Sequence, residues 1–344
     1  MKRALPLTLL MIGCIAAVLY LAGKAAPFTR HLPETLLQST PDESTAGDCP
    51  VDPAVREGRR AAASPDNAAS GKSGKAPASL TALYEQLKSR IAERSVAVKL
   101  SLYDFSTGAQ IKIGAHETFN PASMIKTLLL LAVLEEVEGG GLSMSDTHLL
   151  TEGDKYVGET PVAGAGTLQF AETGAVYSVE ELLGLMVSLS DNVATNILFD
   201  RIGPRRISAT AQKLELKRTA FTRKMYDHHS SLPLNEATAF ELNRALIALE
   251  NAELFSEELQ EKGLRMMLRT EDQRIGRYLG GLADVANKVG TDSGFIGDMA
   301  LLYFPDRAPL ALTIAVLDPA APEEAVDFIG ELALLIVENL LLLK

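Results

Sequence analysis

Cysteine is almost missing from this 344-residue chain. Cys14 lies in an apolar N-terminal run and Cys49 in the polar stretch after it. Beyond residue 49 there is therefore no disulfide framework, no cysteine nucleophile and no cysteine-based metal site. Tryptophan is absent, aromatic residues make up 6%, and no long Lys/Arg cluster occurs. With a formal charge of −11, the missing basic cluster argues against a nucleic-acid partner. Histidine is scarce as well: His31, His116, His148, His228 and His229 contain no His-Glu-x-x-His spacing. Adjacent histidines in a polar turn read as solvated residues, so neither a metal nor a cofactor is expected. Charge-free runs of membrane length are limited to one, which excludes a transporter.

That run extends from Ala4 to Gly23, behind Lys2 and Arg3. At 1.5 Å per residue its 20 residues reach about 30 Å, one bilayer core. Residues 1–26 are thus expected to form a membrane anchor or signal segment, with the two basic residues cytoplasmic and the rest of the chain outside. Cleavage near Ala22 to Ala26 and lipidation at Cys14 are the alternatives. Residues 27–79 are rich in Pro, Ala, Ser, Gly and charge without apolar periodicity, which reads as a flexible spacer. The expected localisation is the cell membrane, with the folded domain periplasmic or at the cell surface.

Residues 80–344 form one expected domain. Leu80, Leu83 and Leu87 open it with a helical stripe. Val96, Val98, Leu100 and Leu102 follow at strand period, and Ser106-Thr107-Gly108 turns the chain into a second arm at Ala109 to Ile113. Pro121 starts an apolar helix that runs to Glu138 and stops at Gly139-Gly140-Gly141. The middle is mostly helical: Val179 to Leu189, Asn192 to Ile202, Asn235 to Glu250, and Glu257 to Leu268. Strand patterns return at Val285 to Val289, Gly297 to Phe304 and Leu310 to Leu317. The apolar segment from Pro322 to Leu343 carries Glu323, Glu324, Asp327, Glu331 and Glu338, so it reads as a helix packed on a sheet. These elements predict an α+β fold, with strands from both chain ends and helices from the middle.

Three short elements can carry chemistry. In Ser123-Met124-Ile125-Lys126, residues three apart share a helical face, and Ser123 meets the positive field of the helix start. A neutral amine beside it can accept its proton. Taken alone, Ser-x-x-Lys is weak, because serine at a helix start is commonly a cap. Ser190-Asp191-Asn192 lies between two helical patterns, where capping residues are ordinary. Lys288-Val289-Gly290-Thr291 ends a strand pattern, where a lysine is ordinarily exposed.

In this order and these settings, the three elements resemble the penicillin-recognising serine enzymes, the superfamily of class A beta-lactamases and D,D-peptidases. The resemblance covers the chain from about Leu80 onward. It implies the beta-lactamase/transpeptidase-like fold, with an antiparallel sheet flanked by helices. It also implies Ser123 as nucleophile, Lys126 as its proton acceptor, and Ser190 as proton relay to the leaving amine. Asn192 would bind the substrate amide, and Lys288 would act near Ser190 and the substrate carboxylate. Gly290 and Thr291 would border the substrate, with the Ser123 and Thr291 N–H groups as oxyanion hole. Asp191 would secure its loop. The implied substrate is a beta-lactam or the acyl-D-Ala-D-Ala end of a peptidoglycan stem peptide.

Two positions depart from the family pattern. Val289 replaces the usual Ser or Thr of Lys-Ser/Thr-Gly, removing one hydroxyl from the carboxylate site. Class A enzymes also use a Glu-x-x-Leu-Asn loop to activate the hydrolytic water; here Leu234-Asn235 matches its end, and the Glu position falls on Ser231. Glu236 stands one residue beyond and reads as part of the next helix start. Acylation with slow deacylation is therefore expected. A D,D-carboxypeptidase or transpeptidase-like activity, and a non-catalytic cell-wall binding module, are the rival readings.

Overall fold

The computed structural model describes residues 78–94 and 96–341. The apolar run at Ala4 to Gly23 and almost all of the expected spacer lie outside the described residues. No helix among those described is long and apolar enough to cross a membrane. The C-terminal apolar segment is a 20-residue helix, Pro322–Leu341, laid on a sheet.

Helix α1 (Ala78–Ala92) precedes β1 (Ala97–Asp104) and β2 (Gln110–Ile113). After β3 (Thr118–Phe119) comes a 3₁₀ turn, Ala122–Ile125, and only then α2, Lys126–Glu138. The continuous helix expected from Pro121 is therefore split just before Lys126. Ala122 takes φ +46°, a left-handed conformation that interrupts a regular entry into the helix. Short ladders β4 (Thr147–Leu149), β5 (Tyr156–Val157), β6 (Thr160–Pro161) and β7 (Val176–Ser178) occupy the next forty residues. Helices α3 (Val179–Ser188), α4 (Asn192–Ile202) and α5 (Pro204–Lys213) follow. The pair β3–β8 (Ala237–Thr238) delays α6 to Ala239–Glu250; the helix pattern read from Asn235 overran it by four residues. Helix α7 spans Glu257–Leu268.

The last three strands are β9 (Asp284–Asp292), β10 (Phe295–Phe304) and β11 (Arg307–Leu317), followed by α8 (Pro322–Leu341). They join β1 and β2 in one antiparallel sheet of order β2-β1-β11-β10-β9. Strands from both chain ends thus meet at β1–β11. β10 is buried on both faces, and its side chains divide between two cores at period two. Ile296, Ala300 and Leu302 join the core under α1 and α8; Phe295, Met299 and Leu301 join the core under the helical middle.

Helix α2 runs through that second core. Leu128 to Leu134 are all buried, so this helix is apolar all round. Burying such side chains contributes about 1.5–3 kcal/mol each, which anchors the segment that carries Lys126. β9 remains the sheet's outer strand, with one edge beside the 3₁₀ turn. A cleft lined by Ser123, Ser190 and Lys288 forms along that edge.

Candidate active site

Each motif reaches the cleft for a local reason. Ser123 sits in the 3₁₀ turn, half-buried, and lines a cleft of about 550 Å³. Lys126 follows one 3₁₀ turn later on the same side and is fully buried. Ser178 starts α3 with a reciprocal cap to Glu181, and the end of that helix delivers Ser190. Ser190 takes φ +56°. Its conformation is braced by Asp191, whose Oδ1 accepts from Ala194 N (2.9 Å) and whose Oδ2 accepts from Thr167 N (2.6 Å) and Leu168 N (2.8 Å). Asp191 therefore caps α4 and fastens a neighbouring loop at once, while Asn192 donates to Ala163 O (2.7 Å).

The structure brings all three motifs together. Lys126 Nζ donates to Ser190 O (2.6 Å) and Asn192 Oδ1 (2.8 Å), and it lies 3.2 Å from Ser190 Oγ. These three contacts match the three N–H bonds of an ammonium, or the two N–H bonds and the lone pair of a neutral amine. On the other side of Ser190 Oγ, Lys288 Nζ lies at 3.0 Å. Burial and the neighbouring Lys288 charge hold the Lys126 amine well below the ordinary lysine range, against the opposing pull of Asp191. Burial lowers Lys288 to about 7, with Asp298 opposing the shift and Arg274 adding to it. The lysine expected to be exposed in an ordinary strand is 1% exposed here.

Gly290 is where β9 passes the segment that carries Ser123. A Cβ there would stand 2.6 Å from Pro121 O and 3.0 Å from Met124 Cγ, so only glycine permits this approach. Thr291 lines the cleft beside it.

Sequence reasoning missed Arg274. It is buried, and its Nη1 donates to Gly290 O (2.8 Å) and Gly297 O (3.1 Å). Its Nη2 donates to Thr291 Oγ1 (2.8 Å) and to Asp272 Oδ2 (2.9 Å). The Thr291 oxygen is thereby occupied as acceptor, which leaves its O–H free to donate into the cleft. No motif marks Arg274, because it reaches Thr291 from a loop 17 residues away in sequence. Beneath it, burial pushes the Asp298 carboxyl up to about 6, against hydrogen bonds from Ile275 N and Asn287 Nδ2.

The loop from Thr222 to Asn235 closes the other side. Asn235 Oδ1 accepts from Thr222 N (2.9 Å) and Arg223 N (3.1 Å), and its Nδ2 donates to Arg223 O (3.0 Å). Asn235 is therefore a loop lock. Ser231 and Glu236 are exposed, and neither lines the cleft; Glu236 instead pairs through its backbone with Ala220. The carboxylates that line the cleft are Asp227, Asp272 and Asp292. Asp227 accepts from Ser230 N, Asp272 pairs with Arg274, and Asp292 accepts from Asn120 Nδ2 and Ser293 N. His228 lies exposed at the rim. No cluster of metal-ligating side chains occurs among the described residues.

An α+β fold with a buried lysine pair around one serine hydroxyl defines a penicillin-recognising serine hydrolase. Residues 82–340 match the beta-lactamase enzyme family. The chain belongs to that family and is a beta-lactamase-like serine hydrolase. A beta-lactamase of Streptomyces fradiae is 27% identical over 262 residues, covering 74% of this chain and 82% of that one. An extended-spectrum beta-lactamase of Pseudomonas aeruginosa is 26% identical over 252 residues, covering 69% and 80%. Among solved structures, PBP-A superposes with a TM-score of 0.70 at 22% identity, covering 77% of this chain and 97% of that one. A variant of PBP-A in acyl-enzyme complex with penicillin G gives the same score. A beta-lactamase of Sphaerobacter thermophilus also scores 0.70, at 24% identity and 76% and 98% coverage.

Proposed function

We propose that Ser123 forms a covalent acyl-enzyme with beta-lactams, or with the acyl-D-Ala-D-Ala end of peptidoglycan stem peptides, and that this ester is hydrolysed slowly. The observation that carries the reading is the hydrogen-bonded row Lys126–Ser190–Lys288, whose Ser190 and Lys288 line the same cleft as Ser123. Lys126, held neutral, takes the Ser123 hydroxyl proton as Oγ attacks the carbonyl carbon. The N–H groups of Ser123 and Thr291 stabilise the oxyanion. As the tetrahedral adduct collapses, the C–N bond breaks and its electron pair takes a proton through the Ser190 hydroxyl. Asn192 holds the acyl-side amide. Lys288 and the Thr291 hydroxyl, oriented by Arg274, hold the substrate carboxylate; this arrangement replaces the hydroxyl that Val289 lacks.

Slow hydrolysis is supported by the cleft lining, which holds no Glu among the described residues, and by the exposed Ser231 at the position where the family's loop carries its base. Lack of a general base typically forfeits about 10²–10⁴-fold. The same residues support D,D-carboxypeptidase or transpeptidase-like turnover. A non-catalytic cell-wall binding module has no use for two buried lysines around one hydroxyl. The reading also places residues 1–26 as membrane anchor or signal, residues 27–79 as spacer and the catalytic domain outside the cytoplasm. Accessibility of the domain to added protease in intact cells tests that placement.

The test is to label the full chain with a fluorescent penicillin and then chase it with excess unlabelled compound. The expected outcome is a label that Ser123→Ala abolishes and that persists for minutes. A label lost within seconds would mean rapid beta-lactam hydrolysis by a base not identified above. Absence of any Ser123-dependent label would overturn the acyl-transfer reading.

A further inference from the structure

Two segments that lie far apart in sequence meet at the mouth of the cleft. Asn120, three residues before Ser123, accepts from Ala122 N through Oδ1 (3.0 Å) and donates through Nδ2 to Asp292 Oδ2 (2.8 Å). Asp292 directly follows Thr291, and its other oxygen accepts from Ser293 N (2.8 Å). We propose that this Asn120–Asp292 bridge sets the separation between the Ser123 and Thr291 N–H groups, making both bridge residues positioning residues for acylation. The proposal rests on the acyl-transfer reading above.

Three contacts tie the segments together at successive depths. At the bottom, Phe119 stacks on Phe295, with ring centroids 5.4 Å apart and planes 20° from parallel. In the middle, Gly290 passes close under Pro121 O. Phe119, Phe295 and Pro121 are buried and would be needed by any well-packed core. The bridge is different, because its hydrogen bond is exposed. An exposed hydrogen bond contributes little net stability, since water competes for both partners. Its location is what distinguishes it: one end holds the backbone before Ser123, the other the backbone after Thr291.

Asn120 also acts locally. Its Oδ1 fixes the N–H of Ala122, the non-glycine residue at φ +46° that aims the following Ser123. Such a conformation persists only when its surroundings hold it. Releasing the bridge therefore frees two things together, the left-handed turn before Ser123 and the outer edge of β9. An oxyanion donor works only within a few tenths of an ångström of its place.

The experiment uses the full chain and a chromogenic cephalosporin. Stopped flow separates the acylation constant k2 from the non-covalent constant K for Asp292→Ala, Asn120→Ala, the double variant and Asp292→Asn. The expected result is about a tenfold fall in k2 for each alanine variant, with K within about twofold and a nearly unchanged Tm. The double variant should fall no further than Asn120→Ala, which breaks the shared bond and also releases Ala122 N. Asp292→Asn keeps an oxygen acceptor for Asn120 Nδ2 and should recover most of k2. Alanine variants with wild-type k2 would overturn the clamp and leave the acyl-transfer reading standing. So would a loss of k2 that tracks a lowered Tm and is not rescued by Asp292→Asn. A wild-type chain that forms no Ser123-dependent acyl-enzyme would overturn both.

Discussion

Replacing Lys288 with methionine removes one charge from a pair that shares a single hydroxyl. Lys126 Nζ lies 3.2 Å and Lys288 Nζ 3.0 Å from Ser190 Oγ, so the two nitrogens are at most about 6 Å apart. At an effective dielectric near 20, two unit charges at that distance repel by about 3 kcal/mol. This repulsion disfavours the ammonium form of Lys126, in the direction already set by burial. Without it, the ammonium form of Lys126 is favoured and the neutral fraction on the acid side falls. The acid limb of k2 for a beta-lactam should accordingly move to higher pH in Lys288→Met, as measured by stopped flow from pH 5 to 9. The non-covalent constant should weaken separately, through loss of the carboxylate's partner. Folding serves as an internal control. The proton of Lys288 is held less tightly in the folded chain than in the unfolded one, so wild-type stability rises with pH between about 7 and 10.5. The share of that slope due to Lys288 should vanish in the variant, leaving the share of Lys126, and the variant should fold at least as stably at pH 7. An unmoved acid limb, in a variant that folds and has lost carboxylate affinity, would refute the account of Lys126.

Further expectations follow from single contacts. Gly290→Ala places a methyl 2.6 Å from Pro121 O; the strain should cost about 1–3 kcal/mol in urea unfolding, and β9 should move off the nucleophile segment with loss of k2. Asp191→Ala leaves three backbone N–H groups without their carboxylate. It should lower stability by about 3–5 kcal/mol and acylation with it, which calorimetry and labelling would show. In wild type, affinity for an anionic substrate should fall as pH rises through about 7, where Lys288 loses its charge; a pH-independent constant would speak against Lys288 as the carboxylate's partner.

Much of the architecture was legible because its signals are local. Period-two alternation marked β1, a continuous apolar run between turns marked β11, and the apolar helix after Pro121 and the Glu257–Leu268 stripe carried their own pattern. Helix α5 was missed because Pro204-Arg205-Arg206 opens a polar segment whose buried side is only Ile207, Thr210 and Ala211. The short ladders β3–β8 and β4–β7 were missed because two or three residues carry no measurable period.

The amino-acid order by itself determined which chemical groups are available: Ser123, Lys126, Ser190, Asn192 and Lys288 on recognisable local elements, with no Glu at position 231. Tertiary structure alone decided what those groups are. Burial and mutual proximity made two ordinary lysines weakly basic, and a loop arginine became the partner of Thr291. Carboxylates that could have served as bases became ties between segments. The physical reason is range. Helix caps and strand alternation depend on neighbours within a few residues, whereas desolvation, charge repulsion and the Asn120–Asp292 contact depend on residues that only folding brings together.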